Sequence, residues 1–437
     1  MCEEKTKWEQ HDHKRGEKTM VERRKPIPVE EAIERVMKFA KKGEVEKMPL
    51  AKAYGRHLGE AVLATHDVPP FNKSPYDGFA IRAQDSREAN LQNPVEFHVV
   101  EEIGAGTVAK RDLGPFEAIR IMTGAQMPVG GDAVVMLELT KEFEKNGEKY
   151  ISIKRSFQEG DNISFQGEDA AKGTTLVEKG TKITPGVTAL LATFGYAEVA
   201  VAKKPNVGVY STGTELLDVS QKLEPGKIRN SNGPMICAQI ERSGGVPLYF
   251  GSLVDDFDQC YQAVKEALEK VDVLITTGGV SVGDYDYLPA IYEKLGAEVL
   301  FNKVAMRPGS VTTVAQLDGK LLFGLSGNPS ACYVGFELFV HPILKTFLGS
   351  EKPHKEIVHA TLMADFPKPN PFTRFVRTRI TQKEGRFVVE PSGLDKSNVV
   401  SSLAFANGLM KLPGGTRGFA SGDQVDVILL EDYHGVY

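Results

Sequence analysis

The chain has 437 residues, which is enough to bury several cores and predicts about three or four domains. Its formal net charge of -5 argues against nucleic acid as the main partner, because proteins that bind phosphate backbones usually carry a clustered positive excess. No apolar run approaches the length of a membrane span and the N-terminus has no apolar signal core, so we expect a cytoplasmic protein with no membrane partner.

Neither the cysteines nor the N-terminal histidines predict a metal site. The cysteines lie far apart and form no CxxC pair, which argues against a zinc knuckle and a disulfide framework: Cys2, Cys237, Cys260 and Cys332. Residues 1–25 are dense in charge and poor in apolar residues, so we expect a disordered tail. His11 and His13 in that tail lack further ligands and are expected to be solvated.

The first part of the folded chain predicts a β module inserted between two helical segments. Apolar positions within residues 29–40 follow helical spacing. Residues 68–82 contain three prolines and an Asp77-Gly78 turn, which predicts either an interdomain loop or a fixed backbone that points Asp77 into a site. From about 80 to 155, apolar and polar residues alternate with frequent glycine, as in a small all-β module. Residues from about 156 to 204 end in an apolar helix, expected to pack on the first helix.

From Pro205 strands and helices alternate, which predicts βαβ units around a mainly parallel sheet. Ligands bind outside the carboxyl ends of the strands in such sheets. The loops expected there supply glycine and hydroxyl donors, acids and bases; they are residues 211–216, 255–256, 277–279, 303–310 and 326–330. From about residue 350, short alternating stretches punctuated by proline and glycine predict a separate β barrel or sandwich.

Residues 271–287 are the first candidate anion site. They begin with a β-branched apolar run, typical of a parallel strand covered on both faces. Gly278 and Gly279 follow, and the N–H groups of such a turn can converge on a phosphate. Asp284 and Asp286 come next, and Mg²⁺ could join these carboxylates to substrate oxygens. A plain tight turn is the alternative, because a Gly-Gly pair alone is a weak signal.

The Ser326-Gly-Asn-Pro-Ser330 turn is the second candidate. It opens a predicted helix over residues 331–347. The N–H groups and the positive end of that helix can hold an anion, whereas an N-cap without a ligand is the alternative.

A series of motifs, in matching order, resembles the MoeA/gephyrin family of molybdopterin molybdenumtransferases from about residue 26 onward. These motifs are Pro69-Pro-Phe71 with Ser74 and Asp77-Gly78, Met122-Thr-Gly-Ala125, Gly167-Glu-Asp169, Ser211-Thr-Gly-Thr-Glu215, Thr277-Gly-Gly-Val-Ser-Val-Gly283, Arg307-Pro-Gly309 and Gly327-Asn-Pro329. The resemblance implies an enzyme of molybdenum cofactor biosynthesis, which inserts molybdenum from molybdate into adenylylated molybdopterin and releases AMP.

The resemblance also implies an architecture of α/β and β domains: a MogA-like three-layer α/β domain with a β insertion domain, a small linker α/β domain and a C-terminal β barrel. The expected boundaries are a tail at 1–25, a discontinuous N-terminal domain at 26–72 and 156–204, an inserted β domain at 73–155, a molybdopterin-binding α/β domain at 205–349 and a β-barrel domain at 350–437. A homodimer is implied, with the active site between the α/β domain of one subunit and the β module of the other. The molybdopterin adenylyltransferase is a further candidate partner.

The resemblance also implies which residues of this chain form the site, because each occupies a position that matches a functional residue of the family. Catalytic residues are expected at Asp77, Thr123, Asp169, Glu215, Asp256 and Asp286. Substrate-binding residues are expected at Thr277, Gly278, Gly279, Ser281, Lys303, Arg307, Ser326, Gly327, Asn328, Pro329, Ser330 and Arg374. Candidate Mg²⁺ ligands are Glu215, Asp256, Asp284 and Asp286.

The chemistry requires both signs of charge. Molybdate and the substrate's phosphates repel each other by about 3 kcal/mol per charge pair at about 5 Å and an effective dielectric near 20, so cations must lie between them. We expect Mg²⁺ at the pyrophosphate, and Lys303, Arg307 and Arg374 at molybdate.

The chain departs from the family pattern at two expected anion contacts. Ser310 stands where the family often has lysine, and Ser326 where it often has proline. Ser310 removes a positive charge, for which the planar donor fork of Arg307 is expected to compensate. Ser330, Ser397 and Ser402 are either oxyanion donors or helix caps.

Two other functions are weighed against the transferase. An adenylyltransferase-like nucleotide-processing protein would need the α/β domain alone, so the two β domains argue against it. A molybdopterin-binding scaffold would predict a partner groove and a fused second domain. We expect neither a fused domain nor a long linker, and therefore favour the enzyme.

Overall fold

The computed structural model describes residues 25–254, 256–279 and 287–430. Its helices are α1 (Val29–Met37), α2 (Pro185–Thr193), α3 (Asn232–Ser243), α4 (Phe257–Lys270), α5 (Leu288–Leu295), α6 (Pro329–Gly335) and α7 (His341–Phe347), with a π-helical turn at Phe336–Val340 between α6 and α7. None of the described helices combines the length and the apolar character that crossing a lipid bilayer requires.

The strands, in chain order, are β1 (Val45–Pro49), β2 (Val62–Leu63), β3 (Gly78–Ile81), β4 (Val95–Ile103), β5 (Glu117–Ile121), β6 (Ala133–Met136), β7 (Thr140–Lys145), β8 (Glu148–Ile153), β9 (Thr175–Val177), β10 (Glu198–Ala202), β11 (Asn206–Thr212), β12 (Leu216–Leu217), β13 (Ile228–Arg229), β14 (Val246–Leu253), β15 (Val273–Thr277), β16 (Glu298–Phe301), β17 (Met306–Arg307), β18 (Thr313–Leu317), β19 (Lys320–Leu325), β20 (Ile357–Leu362), β21 (Thr373–Lys383), β22 (Arg386–Pro391), β23 (Gly408–Leu412) and β24 (Gln424–Leu429). They belong to two compact units: Lys47–Ala200 forms one, and the described residues before and after it form the other.

The unit Lys47–Ala200 is built on a six-stranded sheet with the order β6-β3-β5-β4-β8-β7. Its neighbours run antiparallel except β4 and β5, which are parallel. Successive residues of β3 pack into different apolar clusters, Phe79 and Ile81 into one and Ala80 into another. This two-sided burial follows from the period-2 alternation of strand side chains, and it confirms the predicted β module.

The other unit contains the predicted α/β domain. Its six-stranded sheet has the order β14-β11-β15-β19-β18-β16, in which the first four strands are parallel and β18 pairs antiparallel with both β19 and β16. Alternate residues of β15 face opposite layers. Val273 and Ile275 pack with α1, α3 and α6–α7, whereas Leu274 packs with α4 and α5. Cover on both faces explains why this strand reads as a continuous apolar run, and gives the expected three layers.

The C-terminal strands close into a barrel. β21, β22, β20, β24 and β23 pair in that order, and β23 pairs again with β21. Its interior includes Val376, Val389, Met410 and Val427. The short strand β17 adds to β21 in parallel, with Arg307 in register with Arg374. The barrel, rather than the sandwich, is therefore formed, and β17 links it to the α/β domain.

Candidate functional site

Three parallel strands end side by side and build the main cavity. β11, β15 and β19 end at Thr212, Thr277 and Leu325, which lie along one edge of the sheet. The segments that follow line a cavity of about 1060 Å³, here called the sheet-edge cavity. Its lining residues are Thr212, Gly213, Thr214, Glu215, Ile228, Arg229, Ser231, Leu253, Val254, Cys260, Gly278, Gly279, Tyr287, Leu288, Ile291, Val311, Ser326, Gly327, Asn328, Pro329, Asn398 and Val400. This is the position at which open α/β sheets bind ligands.

The glycine turn after β15 forms the floor of this cavity. Gly278 and Gly279 have φ angles of 88° and 64°, which side chains rarely tolerate. A Cβ on Gly278 would lie 2.6 Å from the hydroxyl of Thr212. The N–H of Gly278 donates to the carbonyl of Leu325 at 2.9 Å, so the neighbouring strand already uses it. Of the two N–H groups predicted to bind phosphate, that of Gly279 has no partner among the described residues.

Polar side chains at the strand ends have different surroundings. The buried hydroxyl of Thr277 lacks a hydrogen-bond partner within the described part of the chain. The Ser326 hydroxyl accepts from the Asn328 N–H at 3.2 Å, and the Gly327 carbonyl accepts from the side chain of Asn232 at 2.8 Å. These bonds fix the turn that opens α6.

Ser330 has a structural position. It is fully buried, and its hydroxyl donates to the carbonyl of Val399 at 2.7 Å. Its N–H donates to the carbonyl of Ser397 at 3.0 Å. Both groups therefore hold the segment around Ser397 against the start of α6, and Ser330 does not line the sheet-edge cavity.

Glu215 is the carboxylate that the structure places at the sheet-edge cavity. It lies against Gly213, where an added Cβ would come within 2.6 Å of Oε2. Asp256 instead caps α4, with its carboxylate accepting from the Gln259 N–H at 2.9 Å. In the described ranges, no group of three or more histidine, cysteine or acidic side chains could hold a metal ion. The predicted residues Ser281, Asp284 and Asp286 lie outside the described residues.

A smaller cavity of about 350 Å³ adjoins the first. We call it the arginine pocket; it is lined by Met306, Arg307, Pro308, Gly309, Ser310, Val311, Ser326, Asn328, Ala331, Arg374, Asp395, Lys396 and Ser397. Val311, Ser326 and Asn328 line both cavities, so the two share a rim. Pairing of β17 with β21 sets Arg307 beside Arg374. Like charges on adjacent strands repel, and an anion between them would relieve that repulsion.

A carboxylate and an amide hold the guanidinium of Arg374. Its Nη1 donates to Asp395 at 2.8 Å and its Nε to Asn370 at 2.6 Å. Asp395 also forms ion pairs with Arg377 and Lys368. Burial lowers the pKa of Arg377 from its ordinary value, and the Asp395 carboxylate opposes that shift.

Lys303, predicted with Arg307 and Arg374 to bind molybdate, is placed differently. It precedes β17, its carbonyl accepts from the Ile27 N–H at 3.2 Å, and it lines neither cavity. The structure therefore groups Arg307 with Arg374 and leaves Lys303 outside the pocket lining.

Asp77, Thr123 and Asp169 belong to the unit Lys47–Ala200. Asp77 Oδ1 accepts from both the N–H and the hydroxyl of Thr123, at 2.6 and 2.8 Å. These two bonds hold the pKa of Asp77 below its ordinary value. Asp169 is exposed, and its N–H donates to the Val68 carbonyl at 3.0 Å. The structure thus brings Asp77 and Thr123 into contact.

Sequence reasoning missed two charged residues of the arginine pocket and the amide that holds Arg374. Asn370, Asp395 and Lys396 were not predicted. A local signal existed for Asn370, which stands four residues before Arg374 in a Pro-Asn-Pro turn. Asp395 contacts Arg374 across 21 residues, and only the closed barrel brings the two together.

Comparisons with known proteins agree with this arrangement. Sequence models match residues 27–195 as the MoeA N-terminal region (domain I and II), residues 208–346 as a probable molybdopterin binding domain and residues 359–430 as the MoeA C-terminal region (domain IV). A molybdopterin molybdenumtransferase of Bacillus subtilis is 62% identical over 95% of this chain and 97% of its own. One from Staphylococcus aureus is 54% identical, with coverage of 94% and 97%. The crystal structure of a molybdopterin biosynthesis MoeA protein from Pyrococcus horikosii superposes with a TM-score of 0.82 at 32% identity, covering 94% of this chain and all of that one. The chain belongs to the MoeA family.

Proposed function

We propose that the chain is a molybdopterin molybdenumtransferase that inserts molybdenum from molybdate into adenylylated molybdopterin, with release of AMP, in molybdenum cofactor biosynthesis. The observation that carries this proposal is the pair of cavities with a common rim at Ser326 and Asn328. One cavity has the size for a large organic phosphate, and the other has two arginines in register. The names of the close relatives support the same reaction.

The sheet-edge cavity suits the organic substrate. Its volume of about 1060 Å³ reaches the upper end of ordinary ligand sites, which run to about 1,000 Å³. The floor offers the Gly279 N–H and the Thr214 hydroxyl to phosphate oxygens, whereas the Thr212 hydroxyl already donates to the Thr277 carbonyl at 3.2 Å. Ile228, Val254 and Val400 are exposed apolar side chains that also line it, and they can cover the faces of planar rings.

The arginine pocket suits molybdate. Arg307 and Arg374 present guanidinium forks, which match oxyanions in charge and geometry. Lys396, an exposed residue of the same lining, has no ion-pair partner among the described residues. It can supply the positive charge that Ser310 does not.

We assign a magnesium ion to the sheet-edge cavity beside Glu215, where one carboxylate and several substrate oxygens would satisfy the ion's preference. Asp256, Asp284 and Asp286 stay candidate ligands. The ion would neutralise charge on the pyrophosphate. What the chain's own residues contribute is position and charge: the glycine turn and hydroxyls hold the phosphates, and the arginines hold molybdate at the shared rim. Such contributions dominate catalysis of phosphoryl chemistry.

The proposal extends to assembly and location. We infer a homodimer, supported by exposed large apolar side chains in the unit Lys47–Ala200, among them Tyr54, Phe116 and Val129. Sedimentation equilibrium should give twice the chain mass of 47.8 kDa, and a mass of one chain would contradict the dimer. We also propose that a molybdopterin adenylyltransferase transfers its product to this chain, which co-sedimentation of the two proteins tests. We further propose a cytoplasmic location, which cell fractionation tests.

AMP release from adenylylated molybdopterin tests the reaction itself. We expect release to require both molybdate and Mg²⁺, and to fall steeply in Arg307→Gln. Arg379→Gln is the matched control, because Arg379 is an exposed arginine of β21 that lines neither cavity. Release that ignores molybdate, or no release from a chain that binds the substrate, would contradict the proposal.

A further inference from the structure

The Arg374 guanidinium is held along two of its edges. Nε donates to Asn370 Oδ1 at 2.6 Å, Nη1 to Asp395 Oδ2 at 2.8 Å, and Nη2 to the carbonyl of Pro369 at 3.4 Å. A guanidinium carries five N–H groups. Among the described residues, one N–H on each of Nη1 and Nη2 therefore has no partner, and Arg374 lines the arginine pocket.

The two residues that hold Arg374 are themselves immobilised. Asn370 is 1% exposed, and its amide donates to the hydroxyl of Thr416 at 3.0 Å. The Asp395 side chain is 7% exposed and receives a second guanidinium, that of Arg377, at 3.3 Å. Arg377 is anchored in turn to the carbonyls of Leu394 and Lys396. Arg374 is thus fixed in one orientation before any ligand arrives, which reduces the entropic cost of binding.

A carboxylate in an anion pocket has two opposite effects. Its charge repels an oxyanion and should weaken binding. Its hydrogen bond orients Arg374 and should strengthen binding. Asp395 is surrounded by three cations, Arg374, Arg377 and Lys368, which compensate its charge. The orienting effect should therefore exceed the repulsion.

We propose that Asp395, assisted by Asn370, is the positioning residue of the arginine pocket. It directs the two free N–H groups of Arg374 toward a tetrahedral oxyanion, and so sets the affinity and the KM for that oxyanion. This inference rests on the proposed function, in which the pocket receives molybdate.

The sign of one substitution tests the proposal. Asp395→Asn removes a charge that repels the oxyanion. Either Arg374 or Arg377, which both donate to Asp395, then faces an amide N–H₂ group instead of a carboxylate oxygen. We expect molybdate and tungstate to bind the full chain about tenfold more weakly by titration calorimetry, since a hydrogen bond to a charged group is at stake. Asp426→Asn is the matched control, because Asp426 is a partly exposed carboxylate of the same barrel that lies 2.8 Å from the ring of His359. Tighter or unchanged binding by Asp395→Asn would overturn the proposal.

A double-mutant cycle shows whether Asp395 acts through Arg374. In an Arg374→Gln background, Asp395→Asn should have no further effect on oxyanion affinity. In turnover, the single variant should raise the KM for molybdate while kcat stays within about twofold of native. Full additivity, or a loss confined to kcat, would contradict a positioning role.

Thermal unfolding of each variant identifies loss of fold. If Asp395→Asn does not fold, Asn370→Ala decides the matter, because it frees the other edge of Arg374 without changing any charge, and it should also weaken oxyanion binding. One outcome separates the inference from the proposed function. If Arg374→Gln binds oxyanions more weakly than the native chain, but Asp395→Asn and Asn370→Ala bind them equally well, the positioning role of Asp395 is wrong and the proposed function stands. If Arg374→Gln also binds oxyanions like the native chain, the arginine pocket is not the molybdate site, and both the proposed function of the pocket and the inference are contradicted.

Discussion

The sheet-edge cavity and the arginine pocket share a rim but are built by different means. Strand ends, glycine turns and small hydroxyl side chains line the first, and its floor is fixed by backbone bonds such as Gly278 to Leu325. Charged side chains line the second, and two of them, Asp395 and Arg374, fix each other. The first is therefore set by backbone geometry, and the second by electrostatics within the barrel.

This difference predicts which property a substitution in each cavity changes. A substitution in the arginine pocket should change oxyanion affinity with little loss of fold, provided that the buried network stays intact. A substitution in the glycine turn should distort the sheet edge itself. Oxyanion affinity and the free energy of unfolding, measured on the same variants, separate these two kinds of damage.

Arg374→Gln should have the largest effect. Loss of a charged donor pair from the arginine pocket should raise the KM for molybdate about 100-fold, because charge-assisted hydrogen bonds are worth up to about 3 kcal/mol. Steady-state AMP release at varied molybdate measures this. Arg379→Gln on the same strand should behave like the native chain, and an equal rise in both variants would mean that the effect reflects only the overall charge.

Gly278→Ala should damage the sheet edge. The new Cβ would lie 2.6 Å from the hydroxyl of Thr212 and 2.8 Å from its carbonyl, at a φ of 88°. Gly296→Ala is the matched control, because Gly296 has a φ of 72° with no atom within 4 Å of an added Cβ. We expect about 1 kcal/mol of destabilisation in the control and about 3 kcal/mol in Gly278→Ala, by denaturant unfolding. Equal losses would show that the close contact with Thr212 is unimportant.

His341 tests the end of the helical run that begins with α6 beside the shared rim. It starts α7 and is 2% exposed; burial, with nearby Lys355, Lys345 and Arg242, lowers its pKa to about 2. Between the unfolded value near 6.5 and this value, the unfolded chain binds a proton that the folded chain does not, so stability falls as pH falls. We expect about 2 kcal/mol of loss between pH 7.5 and 5 from this group.

The matched control for His341 is His359, whose side chain is 83% exposed. Denaturant midpoints at both pH values should show a shallower pH dependence in His341→Gln than in the native chain, and an unchanged one in His359→Gln. A native slope in His341→Gln would mean that other groups carry the acid sensitivity.

Glu215→Gln should give the smallest effect of this set. Removing one carboxylate from the sheet-edge cavity should raise the Mg²⁺ concentration for half-maximal AMP release about tenfold, while the KM for molybdate changes little. Mg²⁺ titrations of both chains measure this. A change confined to the KM for molybdate would mean that Glu215 acts on the oxyanion and not on the metal ion. It would contradict the assignment of separate roles to the two cavities.

The sequence predicted best what local pattern determines. The apolar run at Val273–Thr277 and the glycines after it are read within one stretch, and the structure places both as expected. Barrel closure depends on the pairing of β21 with β23, which no local pattern specifies. Ser330 was predicted as a donor or a cap, but neighbours 69 residues away determine its bonds. Three cations were predicted at molybdate, and the structure groups two of them: Arg307 and Arg374 line one pocket, whereas Lys303 precedes the short strand that pairs with the barrel and lies outside the lining.

The division between the two cavities is tested most directly by a crystal structure of the chain with tungstate, a heavy stand-in for molybdate that can be located by its anomalous scattering. We predict the strongest tungsten peak in the arginine pocket, within hydrogen-bonding distance of Arg307 and Arg374, and loss of that peak in Arg374→Gln. A peak at the glycine turn of the sheet-edge cavity, with the arginine pocket empty, would contradict it.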